Sequence, residues 1–389
     1  MSKWKKCPLA DLGDIVGGAT PSTKNDNYYG GEVSWITPKD LSRLNGRFIS
    51  RGERSITIDG VINSSVRLMP PHSVLFTSRA PIGYVAIAEN ELCTNQGFKS
   101  IVPNSNTDYL FLYYLLINNR NRIENMGSGT TFKEVSSSVM KCVEVLVPVD
   151  KTEQRRIAKT LSVLDEKIEN NTRINHHLEQ MAQAIFKSWF VDFEPSKSFT
   201  EVVQVLGGGT PKTGTDKYWN GDIPFFTPKD ALGTYVLSTE KTLTAAGLSN
   251  CNSRLYPVNT VFVSARGTVG KLALAGCPMA MNQSCYALVG SGGFGQYFVY
   301  HLAQNVVESL KHKASGAVFD AIVTRDFESE IVPDLTVDDA LLFEEKVAPI
   351  YEAILNNTNE NAYLAAIRDN LLPRMMSGEL SVAGIGDTR

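Results

Sequence analysis

Gly17-Gly18-Ala19-Thr20-Pro21, then Tyr28-Tyr29-Gly30-Gly31, then Trp35-Ile36-Thr37-Pro38-Lys39-Asp40 is the stretch that decides how this chain is read. It is written again, without a gap, as Gly207-Gly208-Gly209-Thr210-Pro211, Tyr218-Trp219-Asn220-Gly221 and Phe225-Phe226-Thr227-Pro228-Lys229-Asp230. The offset is 190. It becomes 187 for Arg79 and Gly83 against Arg266 and Gly270, for Asn95-Gln96 against Asn282-Gln283, and for Ser128-Gly129 and Phe132 against Ser315-Gly316 and Phe319. A whole domain, 11–132, therefore recurs at 201–319. Self-similarity on this scale sets the architecture before any local assignment is made.

Outward from that stretch, each repeat reads as short strands, at 33–36, 73–78 and 84–88 and again at 223–226, 260–264 and 271–275. A helix-like apolar stretch follows at about 108–124 and 295–311, then a small-residue turn, then a last strand ending at Pro148 or Pro333. The strands outnumber the helices without βαβ alternation, which predicts an α+β domain with a β-rich core.

Each repeat is followed by a different kind of segment. Asp150-x-x-Glu153 is a capping-box pattern, and Ile157, Leu161, Leu164 and Ile168, then Leu178, Met181 and Ile185, follow a heptad seam. A helix of about 40 residues would span roughly 60 Å. The C-terminal segment repeats the pattern at offset 186 with Phe343, Val347, Ile350, Ile354, Leu364 and Leu371. Both seams are broken at matched positions, by Asn171 and Asn175 in one and by Asn357 and Asn361 in the other. A polar layer that fixes register is one reading; diverging helices with solvated asparagines is the other. Antiparallel pairing would face Asn171 with Asn361, Asn175 with Asn357, and Ile157 with Met375. The predicted organisation is one β-rich domain at 1–150, a helical spacer at 151–194, a second β-rich domain at 195–335, a second spacer at 336–380, and a flexible tail at 381–389. The whole is an α+β fold with an internal pseudo-two-fold repeat and two long antiparallel coiled-coil helices between the β-rich domains.

Bulk composition narrows the function. No apolar run reaches the roughly 20 residues of a membrane span, and the start lacks a signal peptide's apolar stretch. Six scattered cysteines without a Cys-x-x-Cys pair suggest a reduced, cytoplasmic chain and no metal site. Net charge is −3, with 16 basic and 14 acidic residues in 1–150 (+2), 7 and 7 in 151–194, 11 and 10 in 195–333 (+1), and 4 and 10 in 334–389 (−6). A protein that grips nucleic acid unaided carries a larger basic excess, so partners would have to supply much of the phosphate contact.

Catalytic signatures are missing. Pro70-Pro71-His72 is not an amino-methyltransferase motif, and Gly267-Thr268-Val269-Gly270-Lys271-Leu272 is too short for a phosphate loop and lacks its hydroxyl. His176 and His177 are adjacent on a helix and cannot face one metal together. What repeats instead is a set of polar positions suited to duplex contact: Lys39 and Lys229 in a loop after Thr-Pro, Arg79 and Arg266 at a strand end, Asn95-Gln96 and Asn282-Gln283, and Ser128. A position shared by both repeats also serves the shared fold: Asn-Gln could satisfy buried backbone and Arg79 could pair with a carboxylate. Base choice then falls to positions that differ, with Lys24, Arg43, Arg47, Thr131 and Lys133 as candidates in the first repeat and Lys212, Thr213, Lys217 and Lys241 in the second.

On these residues the chain resembles the specificity (S) subunit of type I restriction-modification enzymes. The resemblance spans nearly the full length. It rests on the duplicated Gly-Gly-x-Thr-Pro…Thr-Pro-Lys-Asp opening, on Ser78-Arg79-Ala80-Pro81-Ile82-Gly83 and its partner at 264–270, on Glu153-Gln154-Arg155-Arg156-Ile157-Ala158 before Leu161 and Leu164-Asp165, and on 367–380. It implies two target-recognition domains, each reading half of a bipartite asymmetric DNA site, and a helical rod that sets the gap. If both domains dock on one face of B-DNA, the half-site centres lie about one turn, roughly 10 bp, apart. It also implies a chain without a catalytic centre that docks two methyltransferase subunits and, through them, motor-nuclease subunits. S-adenosylmethionine, ATP and Mg would be bound by those partners. Phe343-Glu344-Glu345-Lys346 departs from the Gln-Arg-Arg-Ile-Ala pattern of the first spacer. The competing expectations are a stand-alone DNA methyltransferase or nuclease and a structural adaptor with no DNA role.

Overall fold

The computed structural model describes residues 3–129, 133–190, 193–313, 320–334 and 336–381. The chain divides into two units, Met1–Asn170 with Ala362–Arg389, and Asn171–Asn361; the division falls inside each of two long helices, Lys151–Phe190 and Val337–Met376.

The first unit holds a five-stranded sheet in the order Gly13–Gly17, Lys99–Pro103, Val74–Phe76, Val85–Ala88, Phe48–Ile49. A three-stranded sheet, Arg54–Ile56, Tyr29–Ile36, Cys93–Thr94, accompanies it. The strands pair antiparallel except at one edge of each sheet, where Phe48–Ile49 runs parallel to Val85–Ala88 and Cys93–Thr94 runs parallel to Tyr29–Ile36. The strands at 74–76 and 86–88 are buried on both faces, which explains their unbroken apolar runs. One face of the sheet, with Leu75 and Ala86, packs on Ile36, Leu92 and Phe98. The other packs on the helix Tyr109–Asn125 and on Ile157, Leu161, Leu372 and Met375, which join one core. Each fully buried Leu, Ile or Phe there is worth about 1.5–3 kcal/mol.

The second unit repeats the order with Val203–Gly207, Cys285–Gly290, Val261–Ser264, Leu272–Ala275, Tyr235–Val236 in one sheet and Thr242–Leu243, Trp219–Phe226, Ala280–Met281 in the other. Its core is aromatic. Phe186 and Phe190 meet Phe343 at ring-centroid distances of 5.3 and 5.6 Å, and both meet Phe298. Ile185, Phe186 and Phe190 thus pack inside this unit, although Trp189 stays 40% exposed.

The central helix starts where Asp150 Oδ1 accepts the Thr152 N–H at 2.8 Å, and no Gly or Pro interrupts it. The C-terminal helix runs through Pro349, which can donate no hydrogen bond; Val347, Tyr351 and Ile354, all buried, hold the helix to its core on either side. The helix segments pair antiparallel. In the first unit Arg368 Nη1 donates to Asp165 Oδ1 at 2.7 Å. In the second, Asn171 Nδ2 donates to Asn361 Oδ1 at 2.9 Å, and Asn357 Nδ2 to Asn175 Oδ1 at 2.8 Å. Asn171 Nδ2 also reaches Glu360 Oε2 at 2.6 Å.

The heptad seam needs correcting at its far ends. Met181 is 54% exposed, while Ala182, Phe186 and Phe190 are buried. Likewise Tyr351, not Ile350, is fully buried. These segments lie against a globular core as well as against a partner helix, so the buried stripe follows the 3.6-residue turn in steps of four rather than the 3.5 of a pure coiled coil. Of the expected tail, 382–389 lie outside the described residues.

Candidate nucleic-acid interface

Five loops of the first repeat converge at one end of its sheets. Gly18 N–H donates to Phe98 O, Ala19 N–H to Thr94 O, Asn95 N–H to Ile36 O, Ser78 N–H to Gly97 O, and Val135 N–H to Ser78 O. The Gly-rich turn, the Thr-Pro-Lys-Asp segment, the Asn-Gln-Gly loop, the Arg79 loop and the segment at 133–135 are stitched together by these bonds. The second repeat has the same stitching: Gly209 to Met281 O, Asn282 to Phe226 O, Ala265 to Ser284 O, and Ile322 to Ala265 O. The double glycine is a packing requirement. A Cβ on Gly18 would lie 1.9 Å from Asn95 O, and one on Gly208 would lie 2.2 Å from Asn282 O.

Several shared residues turn out to build this surface. Asn95 Oδ1 accepts from Gly97 N–H at 2.9 Å and Asn282 Oδ1 from Ser284 N–H at 3.0 Å. Gln96 is hydrogen-bonded to the Thr20 hydroxyl, and Gln283 to that of Thr210. The Asp40 carboxylate accepts from both the N–H and the hydroxyl of Thr37 and caps the chain there, and Asp230 accepts the same two bonds from Thr227. One expectation fails here: Lys39 does not lie in a loop but in the short helix Pro38–Leu41 that this cap starts, with proline at the position that needs no donor.

The exposed cations are arranged differently in the two repeats. Lys39 pairs with Glu53 at 2.7 Å and Arg43 with the same carboxylate at 3.5 Å; the Lys39 hydrogen bond holds the Glu53 carboxyl below its usual range. Lys229 is exposed, and a three-residue shortening removes any counterpart of Arg43. Arg79 Nε pairs with Glu134 Oε2 at 2.9 Å, and the nearly buried Lys99 lies 3.5 Å from Oε1. In the second repeat the bridge partner of Arg266 is Ala321 and the Lys99 position is Tyr286, so Arg266 makes no ion pair among the described residues. Lys24, Ser128, Lys212, Thr213, Lys217 and Lys241 are exposed, and Lys133 is half-exposed; Thr131 lies outside the described residues.

Arg47 is a correction. Read as a base contact, it is 4% exposed and faces inward. Its Nε and Nη2 take the two oxygens of Glu169 at 2.9 and 3.0 Å, and Nη1 reaches Ser162 Oγ at 3.0 Å. Burial opposes its charge, but the Glu169 hydrogen bonds and Tyr114 hold its pKa above the ordinary value. A lone arginine in a polar loop looks the same in sequence whether it meets DNA or a carboxylate 122 positions away.

Arg54 went unseen in the sequence, and so did its equivalence with the candidate Lys241. Arg54 lies 4.6 Å over the Tyr29 ring and 5.5 Å from that of Trp35, and Lys241 lies 5.6 Å over Trp219. Ile56 and Leu243 occupy matching register positions opposite Val33 and Ile223, so Arg54 and Lys241 are equivalent. Each is a cation set over an aromatic ring at the exposed edge of the smaller sheet. The drop in offset from 190 to 187 was the signal that aligns them.

Such a surface offers flat stacking groups, guanidinium forks and hydroxyls on a rigid base, which is equipment for reading a polyanion and its base edges. Among the described residues no three His, Cys, Asp or Glu side chains cluster as a metal site, and no helix is long and apolar enough to cross a membrane.

Residues 1–180 and 191–333 match the type I restriction modification DNA specificity domain. The chain is 33% identical to the type I restriction enzyme MjaIX specificity subunit of Methanocaldococcus jannaschii, across 97% of this chain and 94% of that one. It is 25% identical to the HindI specificity subunit of Haemophilus influenzae, across 98% and 100%. Its fold is similar to the crystal structure of the type I restriction-modification S subunit from M. genitalium, with a TM-score of 0.57 and 16% identity over 96% of both chains. The chain belongs to the type I restriction-modification specificity family, and its function is DNA sequence recognition within such a system.

Proposed function

We propose that the two loop clusters read the two halves of a bipartite, asymmetric DNA site, and that the chain itself carries no catalytic centre. Two methyltransferase subunits dock on it, and motor-nuclease subunits join through them; S-adenosylmethionine, ATP and Mg belong to those partners, and the assembly works in the cytoplasm. The observation that carries this reading is the split between shared and unshared residues. Asn95, Gln96, Thr37 and Asp40 have the same bonding as Asn282, Gln283, Thr227 and Asp230, whereas Arg79 and Arg266, or Arg43 and its missing counterpart, differ. One scaffold presents two different faces, as reading two different half-sites requires. Near-neutral charge on the chain is compatible with this when partners close around the duplex. Asn171, Asn175, Asn357 and Asn361 fix the register of the helix pair, since the Asn171–Asn361 and Asn357–Asn175 bonds form in only one alignment.

The test is methylation with labelled S-adenosylmethionine. The chain alone should incorporate nothing; the chain assembled with methyltransferase subunits should label a duplex carrying a two-part site. Incorporation by the chain alone would support the stand-alone methyltransferase instead. Absence of any sequence-specific complex at every salt concentration would support the adaptor.

A further inference from the structure

The first repeat is anchored to the central helix by a contact the second does not reproduce. Glu169 accepts three bonds at once: Oε1 from Arg47 Nε at 2.9 Å and from the Arg47 backbone N–H at 3.0 Å, and Oε2 from Arg47 Nη2 at 3.0 Å. One carboxylate therefore grips both a guanidinium fork and the chain that carries it. Ser162 Oγ holds the remaining nitrogen at 3.0 Å. Gly46, with φ +143°, brings the backbone down onto Glu169. This is the far end of the segment 38–47, whose near end is fixed by the Thr37–Asp40 cap and which carries Lys39 and Arg43 on its exposed side. At the matching place in the second repeat stands Thr234, bonded through a single hydroxyl to Glu179.

We propose that the Arg47–Glu169 clamp is a positioning device for DNA reading. It fixes where the Lys39–Arg43 segment sits over the central helix, and so confines the first repeat to one gap length between half-sites. This rests on the bipartite reading proposed above. A buried ion pair is weak evidence for stability as such, because desolvation offsets attraction; what a bidentate fork on a planar carboxylate adds is a single geometry. The single hydroxyl contact at Thr234 restrains less, so the two repeats differ in how firmly they are oriented.

The experiment uses the full chain assembled with its methyltransferase subunits, and duplexes whose gap is the native length or one base pair longer or shorter. Glu169→Gln and Arg47→Lys remove the charge or the fork. Each should raise the rate on wrong-gap relative to native-gap duplexes by about tenfold, the worth of one charge-assisted bond. Base preference within each half-site should stay as it was. Glu144→Gln, on an exposed carboxylate that bonds neither Arg47 nor Glu169, should leave the ratio unchanged. Equal losses on all gaps, or an unchanged ratio in both variants, would overturn the proposal and leave the pair a simple structural contact. Failure of both variants to assemble would also overturn it, by making the contact a folding requirement. If the unaltered complex methylates no duplex in the series, the bipartite reading fails rather than the clamp.

Discussion

Replacing Glu134 with Gln should strengthen DNA binding by the first repeat, and replacing Ala321 with Glu should weaken it in the second. Two arginines stand at equivalent places, of which Arg79 shares a carboxylate with Lys99 and Arg266 has none among the described residues. The Arg79–Glu134 pair is 46% and 33% exposed, so holding it together is worth only about 0.2–1 kcal/mol. A phosphate competes well with so weak a partner. Glu134→Gln leaves Lys99, whose side chain is 11% exposed, an amide oxygen in place of the carboxylate and removes one negative charge from the loop face. One more phosphate contact steepens the dependence of log affinity on log salt by about 0.9. Between about 50 and about 200 mM salt the ratio of variant to unaltered affinity should therefore change about three- to fourfold, being largest at low salt. Ala321→Glu should give the mirror result, flattening the slope by about 0.9. The assay is fluorescence anisotropy of the assembled complex on its own duplex across a salt series, with melting temperatures to confirm folding. If both variants keep the unaltered slope and affinity, neither arginine loop touches DNA, and the interface described above is misplaced.

Three further outcomes follow from particular contacts. His301, 2% exposed and hydrogen-bonded to Tyr351 at 2.8 Å, is held neutral by burial, with its pKa pulled from 6.5 to about 4. Its stabilising effect is complete above the unfolded value and fades as pH falls through about 4. The unaltered chain should therefore lose up to about 3 kcal/mol relative to His301→Phe over that window, seen as converging melting curves. Gly18→Ala or Gly208→Ala forces a methyl against a backbone carbonyl and displaces the Asn-Gln loop. Each should abolish recognition of one half-site by methylation footprint while leaving the other readable. Asn171→Asp places a carboxylate where Nδ2 now meets Glu360 at 2.6 Å. It should cost about 3 kcal/mol near pH 7, from a lost charge-assisted bond and like-charge repulsion. Stability should recover toward pH 5 as one of the two takes up a proton; a melting temperature that ignores pH would refute this.

The duplication made much of this molecule legible in its sequence. Strands such as 74–76 and 261–264 are short apolar runs beside turn signals, and a matched copy of each removes the ambiguity a single run carries. The asparagine pairing followed from two seams broken at corresponding places. What stayed hidden depended on partners remote in sequence. Arg47 meets Glu169 through a fold that no local pattern encodes, so its burial could not be read from a polar loop. Met181 was misplaced because a heptad was extended into a region where a globular core, as well as a second helix, decides which side faces inward. Arg54 was missed because its counterpart is a lysine and the offset shifts just before it, so the shared feature is an aromatic–cation contact rather than a residue identity.

The central claim is that each repeat reads one half of a two-part site and does so independently. Exchanging residues 1–150 for the corresponding segment of another family member, and sequencing the methylated positions in cells that carry the hybrid with its methyltransferase subunits, tests it most directly. The account predicts that one half-site changes to that of the donor, while the other half-site is kept. A change in both halves, or in neither, would contradict it.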